Sequence, residues 1–324
     1  MRLTGPIGIG VRALLAAGIT GLTLLASAYI ITVFAAALVL FVVMQLGPLE
    51  FTETSFLWTL VIAAIPVLPC FAVVISHAIR LERVELLERT VPTSEIDSEA
   101  IRALEAATTR LAAQFDSTTP EIRVRPDATP MAYTTARPTD PVIAVRRRSS
   151  PVIVVSKGLV QTLSSDELEA VVAHECAHLA NDDLQLTSWL LVPLFAAEFL
   201  SDNDDDEPWR LDPLGWALTS VGLVGLGVFS RGRELAADRA AAEATIEPGA
   251  LASALERLAQ RRRRPSRDLR HTRSTNAINV VPTLGQDGDV GGSESGGGLR
   301  STHPSLEVRL EALRSLTAES SGDS

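Results

Sequence analysis

The hydrophobic pattern divides the chain before any motif is read. Residues 13–49 contain no Asp, Glu, Lys or Arg, and neither do residues 54–79. Roughly 20 apolar residues cross a bilayer, whereas helices in water seldom run so far without a charge, so each run reads as one spanning helix. Gly47 and Pro48 stop the first, and Pro66 and Pro69 are expected to kink the second. An "ASA" at 26–28 follows a basic start, as in a cleaved leader. The apolar run continues to Leu49, well past a leader's length, so a retained anchor is expected.

Two shorter runs lie further on. Residues 184–200 carry one charge, Glu198, and residues 213–230 carry none. Both sit at the lower limit for spanning, and by length alone could be core helices or a re-entrant hairpin. Charge placement favours spans. Arg2 and Arg12 precede the first run, and Arg80, Arg83 and Arg89 follow the second, with only Glu50 and Glu53 between them. "SDNDDDEPWR" separates the later two runs, and Arg231 and Arg233 follow the last. Four spans with both basic flanks and residues 174–178 in the cytoplasm, and a single Arg210 in the loop between the later two runs, satisfy the positive-inside rule.

Outside these runs the period changes. "RLERVELLERT" extends the second span as a charged helix, and residues 94–116 place Ile101, Leu104, Leu111 and Phe115 on one helical face. "EIRVRP", "PVIAVRR" and "PVIVVSKG" read as a small sheet. Ser164 and Glu167 have capping-box spacing, starting a helix just before Asp166. "RELAADRAAAEAT", "PGALASALERLAQRR" and "HPSLEVRLEALRSLT" are three more helices. Residues 284–299 are too rich in Gly and Ser to bury anything, so a mobile loop is expected over about 262–300.

The expected fold is membrane-anchored α+β, mainly helical, with a small sheet and about four transmembrane helices. Residues 1–80 form a two-span anchor, 81–183 and 231–314 two halves of one domain, 184–230 the further spans, and 315–324 a disordered tail.

Net charge is −10, and Lys157 is the only lysine among 29 basic residues, which fits either a salty cytoplasm or a genome favouring arginine codons. The basic cluster at 261–273 lacks interleaved aromatics, so no nucleic-acid partner is expected. Cys70 and Cys176 imply no disulfide framework, and Cys176 reads as small packing.

The chemistry concentrates in "HECAH", residues 174–178. Positions four apart share a helix face, so His174 and His178 can hold one zinc ion, with Glu175 beside them as general base for an attacking water. A catalytic zinc needs a third protein ligand and one open position. A third histidine six residues on is absent, since position 184 is Leu. In "SRGRELAAD", Glu234 could ligate, and Asp238, one turn later, could hold a ligand histidine through its other ring nitrogen. The two could equally be ordinary carboxylates of a surface helix.

"DELEAVVAHECAHLANDD", "SRGRELAADRAAA" and "STHPSLEVRLEAL", in that order, resemble the HtpX-like family of membrane-integral zinc metalloendopeptidases, distant relatives of the CAAX prenyl endopeptidases. The resemblance implies a zincin-type (gluzincin) protease domain holding one Zn2+ per chain. It implies His174, His178 and Glu234 as ligands, Glu175 as catalytic base and Asp238 as the acidic residue following the ligand. His303 matches a position that could stabilise the carbonyl oxyanion or simply support the site, and Arg309 is open in the same way. Asn181 and Asp183 match polar positions ending the active-site helix, while His77 and His271 match nothing. "MAYTT" departs from the family by having Met131 where Asn is usual, and Leu235 stands where an aromatic is common. "SSPVIVVSKG" would be the edge strand that pairs with an extended substrate.

The implied function is endopeptidase cleavage of cytosol-exposed, misfolded segments of membrane proteins, with polypeptides and the lipid bilayer as partners, in the cytoplasmic membrane with the site facing the cytoplasm. Alternatives are a processing protease for specific lipidated peptides and a non-catalytic membrane scaffold with a structural zinc.

Overall fold

The computed structural model describes residues 53–141, 150–181, 230–245, 247, 249–262 and 304–322, with scattered helical positions between 18 and 37. The expected third and fourth spans up to residue 229, most of "PVIAVRR", Asp183, and residues 263–303, which include His271 and His303, lie outside them.

The first complete element is α1, Glu53–Glu88, 36 residues long and continuous through Pro66 and Pro69. Counted over the described residues alone, no helix is long and apolar enough to cross a membrane. The large side chains described between Trp58 and Val74 nevertheless face outward, with Trp58 and Ile62 both 62% exposed and Ile65 69%. The charged end of α1 behaves differently. Ile79, Arg83 and Leu86 are buried, the Arg83 guanidinium donates to the Asp140 carbonyl at 3.1 Å, and the Tyr133 hydroxyl donates to the Leu86 carbonyl at 2.9 Å. The helical extension is thus clamped to the domain that follows.

β1 (Val91–Pro92) and a 3-10 turn at Thr93–Glu95 precede α2 (Glu99–Gln114). The helix starts later than the periodicity predicts because that turn interrupts it, but Ile101, Leu104 and Leu111 form the buried face as expected. β2 (Glu121–Arg125), β3 (Ala132–Ala136) and β4 (Pro151–Ser156) complete a sheet of order β1-β2-β4-β3. β4 pairs in parallel with β2 and antiparallel with β3, with Thr134 opposite Ile153.

This order corrects the expectation that "SSPVIVVSKG" is the edge strand: β4 is interior and β3 is the outer strand among the described residues. The physical reason lies in β4 itself. Val152–Val155 is apolar on both faces and wholly buried, the pattern of a strand covered on each side. β3 went unread as a strand because Tyr133, Thr134 and Thr135 interrupt apolar alternation, although all are good β-formers.

Ser156 caps α3 (Lys157–Thr162), and the Ser164–Glu167 capping box starts α4 (Ser165–Ala180) as its spacing predicts. α5 covers residues 230–244, α6 is Ala250–Arg262 and α7 is Leu306–Gly322. α7 continues past residue 314, where a disordered tail was expected, with Leu316 packed against the core. α4 lies at the centre, packed against α2 and α6 and touching β3 and β4. Val171, Val172 and Cys176 on α4 join Leu111, Ile153, Leu255 and Leu313 in one apolar cluster. The histidine-bearing helix is therefore held rigidly on several sides.

Candidate metal centre

The face of α4 that carries His174 and His178 turns toward α5. The two Nε2 atoms lie 3.1 Å apart, and both side chains are buried. α5 brings Glu234 to them, with Oε2 3.8 Å from His174 Nε2 and Oε1 3.5 Å from His178 Nε2. One ligand atom from each of the three residues lies within 4.8 Å of the others. One turn further along α5, Asp238 Oδ1 sits 2.9 Å from His174 Nδ1. That contact sets a carboxylate against Nδ1, the ring nitrogen turned away from Glu234 and His178, while Nε2 faces both of them.

Two contacts were not legible in the sequence. The Arg309 guanidinium on α7 grips Asp238 with both arms, Nε to Oδ2 at 2.7 Å and one terminal nitrogen to Oδ1 at 2.5 Å. Its other terminal nitrogen lies 3.5 Å from Glu234 Oε2. A signal existed, since Arg309 falls on the apolar face of α7 with Leu306, Leu310 and Leu313. The Thr134 hydroxyl, from the outer strand β3, donates to Glu175 Oε2 at 2.6 Å. No local pattern could have announced that bond. Of the remaining candidates, Asn181 is the exposed C-cap of α4 and His77 is an exposed residue of α1.

The electrostatics follow from burial. Glu175 is fully buried, and burial pushes its carboxyl up, against the pull of both histidines and the Thr134 bond. Burial works the same way on Asp238, but Arg309 and His174 prevail and hold it below the usual carboxylate range. Burial opposes the charge of Arg309 too, and Asp238, Glu234 and Glu175 outweigh it, so its pKa rises. The Cys176 thiol is pushed up to about 12 by burial, as befits a packed side chain.

These residues fit a divalent cation. When ionised, the buried Glu175, Glu234 and Asp238 carry three negative charges against the two positive charges of Arg309 and of Arg233, which Glu234 attracts, so one negative charge is left over. Buried charge so placed calls for a partner, and a cation at the meeting point of His174, His178 and Glu234 supplies it. Two imidazoles and a carboxylate are also the donor set of a site that keeps a position open for reaction.

Residues 103–317 match peptidase family M48. The chain belongs to that family. It is 34% identical to the protease HtpX homolog of Moorella thermoacetica over 243 residues, 69% of this chain and 75% of that protein. It is 32% identical to protease HtpX homolog 1 of Streptomyces coelicolor over 239 residues, 69% and 74% of the two chains. A looser likeness, to the crystal structure of S. mikatae Ste24p, has 19% identity and a TM-score of 0.39, and covers 80% of this chain and 58% of that one. Membership makes this M48 chain a metalloendopeptidase, and the cluster of His174, His178 and Glu234 is where its metal could bind.

Proposed function

We propose that this M48 protein is a membrane-bound, zinc-dependent endopeptidase that cuts cytosol-exposed segments of membrane proteins, misfolded ones among them. The observation that carries the reading is the convergence of His174, His178 and Glu234 beside a buried Glu175. Zinc suits that donor set, and when bound it supplies Lewis acidity toward a peptide carbonyl and acidifies water.

The chain's own residues divide the remaining work. Asp238 holds the His174 ring with Nε2 free to ligate, and Glu234 closes the donor set from α5. Glu175 is the general base. Its Oε2 is held by Thr134, and its Oε1 has no hydrogen-bond partner among the described residues, so Oε1 can take the proton of the attacking water and pass it to the leaving amine. A scaffold with a structural metal would have no use for such a carboxylate. An extended substrate adds beside β3 through backbone hydrogen bonds, which favours broad specificity and brings the peptide past Thr134 and Glu175. His303, six residues before Arg309 in sequence, is assigned the carbonyl oxyanion.

The membrane reading rests on the charge-free stretches at 13–49 and 54–79 and on the outward-facing Trp58, Ile62 and Ile65. These surfaces suit lipid, with the charged end of α1 at the cytoplasmic boundary. Metal analysis of detergent-purified wild type and Glu234→Ala tests the site: about one zinc per chain is expected in the first and a large loss in the second. Flotation of the full chain with phospholipid vesicles after a carbonate wash tests the anchor. Loss of the chain to the wash would count against it.

A further inference from the structure

Arg309 is the largest fully buried side chain among the described residues, 1% exposed, and it comes from the last helix of the fold. A guanidinium is costly to bury unless its geometry and partners are very good. Here both are. Its two parallel bonds reach both oxygens of Asp238, and its third nitrogen lies 3.5 Å from Glu234 Oε2. Asp238 in turn sits 2.9 Å from His174 Nδ1. One planar cation therefore touches the acid that orients a candidate ligand and also approaches another candidate ligand.

We infer that Arg309 is a positioning residue for the metal centre: its fork fixes Asp238, Asp238 fixes the His174 ring, and metal loading therefore depends on docking of the C-terminal helix. The inference rests on the metal reading above. Arg309 lies 71 residues from Asp238, so nothing local places it. Leu310 and Leu313 do, by anchoring α7 in the core beside α6. If Arg309 served only to neutralise buried acids, a lysine could replace it. A lysine brings the charge but not the rigid two-pronged geometry that sets the carboxylate plane.

The test uses the full chain in detergent and zinc alone as the probe. Zinc affinity is measured by competition with a chromophoric chelator, and thermal unfolding is followed with and without zinc. Arg309→Lys is expected to weaken zinc binding by about 10- to 100-fold, as does loss of a group that orients a ligand. Asp238→Asn should do the same, and Arg309→Lys added to Asp238→Asn should cost little more, because both act through one line of contacts. A merely structural Arg309 would lower the unfolding temperature equally with and without zinc and leave the affinity unmoved, and that result overturns the inference.

Should Arg309→Lys fail to fold, Arg309→Gln combined with Asp238→Asn removes both buried charges together. Zinc affinity at the level of Asp238→Asn alone supports the inference, and wild-type affinity overturns it. His174→Ala separates the two levels of failure. If wild type holds no zinc, or His174→Ala holds it as tightly, the metal reading fails and the inference with it. If His174→Ala loses zinc while Arg309→Lys keeps it, only the inference fails.

Discussion

Thr134 Oγ1 and Glu175 Oε2 lie 2.6 Å apart, joining the outer strand of the sheet to the residue beside the first histidine, across 41 residues of sequence. The bond does two things. It fixes one oxygen of a fully buried carboxylate, leaving the other without a hydrogen-bond partner among the described residues, and it ties that carboxylate to the outer strand of the sheet. A hydrogen bond to a charged group contributes about 1.5–3 kcal/mol. Thr134→Val keeps the shape and removes the donor. The expected result is a fall in kcat of roughly tenfold or more, with little change in KM and zinc content unchanged. Steady-state kinetics on an unfolded protein substrate measure it; an unaltered kcat would show that Glu175 needs no such anchor.

Metal removal should cost stability as well as activity. A ligand that binds only the folded state adds about 4 kcal/mol at a thousandfold excess over its Kd. Stripping the metal with a chelator should therefore lower the unfolding temperature by several degrees, the more so because it leaves three carboxylates, Glu175, Glu234 and Asp238, buried beside two arginines, Arg309 and Arg233. In Glu234→Gln the zinc-dependent shift should shrink sharply. Differential scanning calorimetry with and without zinc decides the matter.

Glu167 carries a separate acid dependence, at the other end of the same helix. Burial works against its charge, but the Ser253 hydroxyl at 2.6 Å, the Ser164 backbone N–H at 2.8 Å and Arg257 prevail, holding its carboxyl below the usual 4.5. A carboxylate whose folded pKa is depressed adds stability above its unfolded pKa and loses it as the pH falls through the folded one. Glu167→Gln should thus cost about 1 kcal/mol at neutral pH, with the difference from wild type closing below pH 4.5. Urea titrations of both proteins in their metal-free forms, at pH 7 and at successively lower pH, test it. A gap that stays constant with pH would mean the carboxylate's charge contributes nothing.

Gly158 sits where β4 gives way to α3, and a Cβ there would lie 2.0 Å from the Ala128 carbonyl oxygen. The Gly158 N–H also donates to the Asp127 carbonyl at 2.8 Å, so the two backbones cannot part without losing a bond. Overpacking of this kind typically costs about 1–3 kcal/mol. Gly158→Ala should unfold at a lower temperature with its zinc affinity intact, since the strain lies away from the histidines. Wild-type thermal stability would show that the loop before β3 yields easily.

What the sequence disclosed and what it withheld divide along one line. Features set within a few residues were legible: the capping box at Ser164 and Glu167, the shared helix face of His174 and His178, and the one-turn spacing of Glu234 and Asp238. The charge-free stretch of α1 was equally plain. Features set by chain topology were not. "PVIVVSKG" announced a strand, yet only the pairing of β4 on both sides revealed an interior one. Its unbroken apolar run already favoured that place. Arg309 and Thr134 reach the site across 71 and 41 residues, and neither belongs to a local pattern that names its partner. An arginine on an apolar helix face was the one clue that a closer reading of α7 would have caught.

The most direct test of the account is cleavage of an unfolded protein substrate by detergent-purified wild type and Glu175→Gln, with bound zinc counted in both. The account predicts about one zinc per chain in each, with cleavage by wild type and a loss of several orders of magnitude in Glu175→Gln. Equal cleavage by the two proteins, or zinc in both with cleavage by neither, would contradict Glu175 as the base of a zinc endopeptidase.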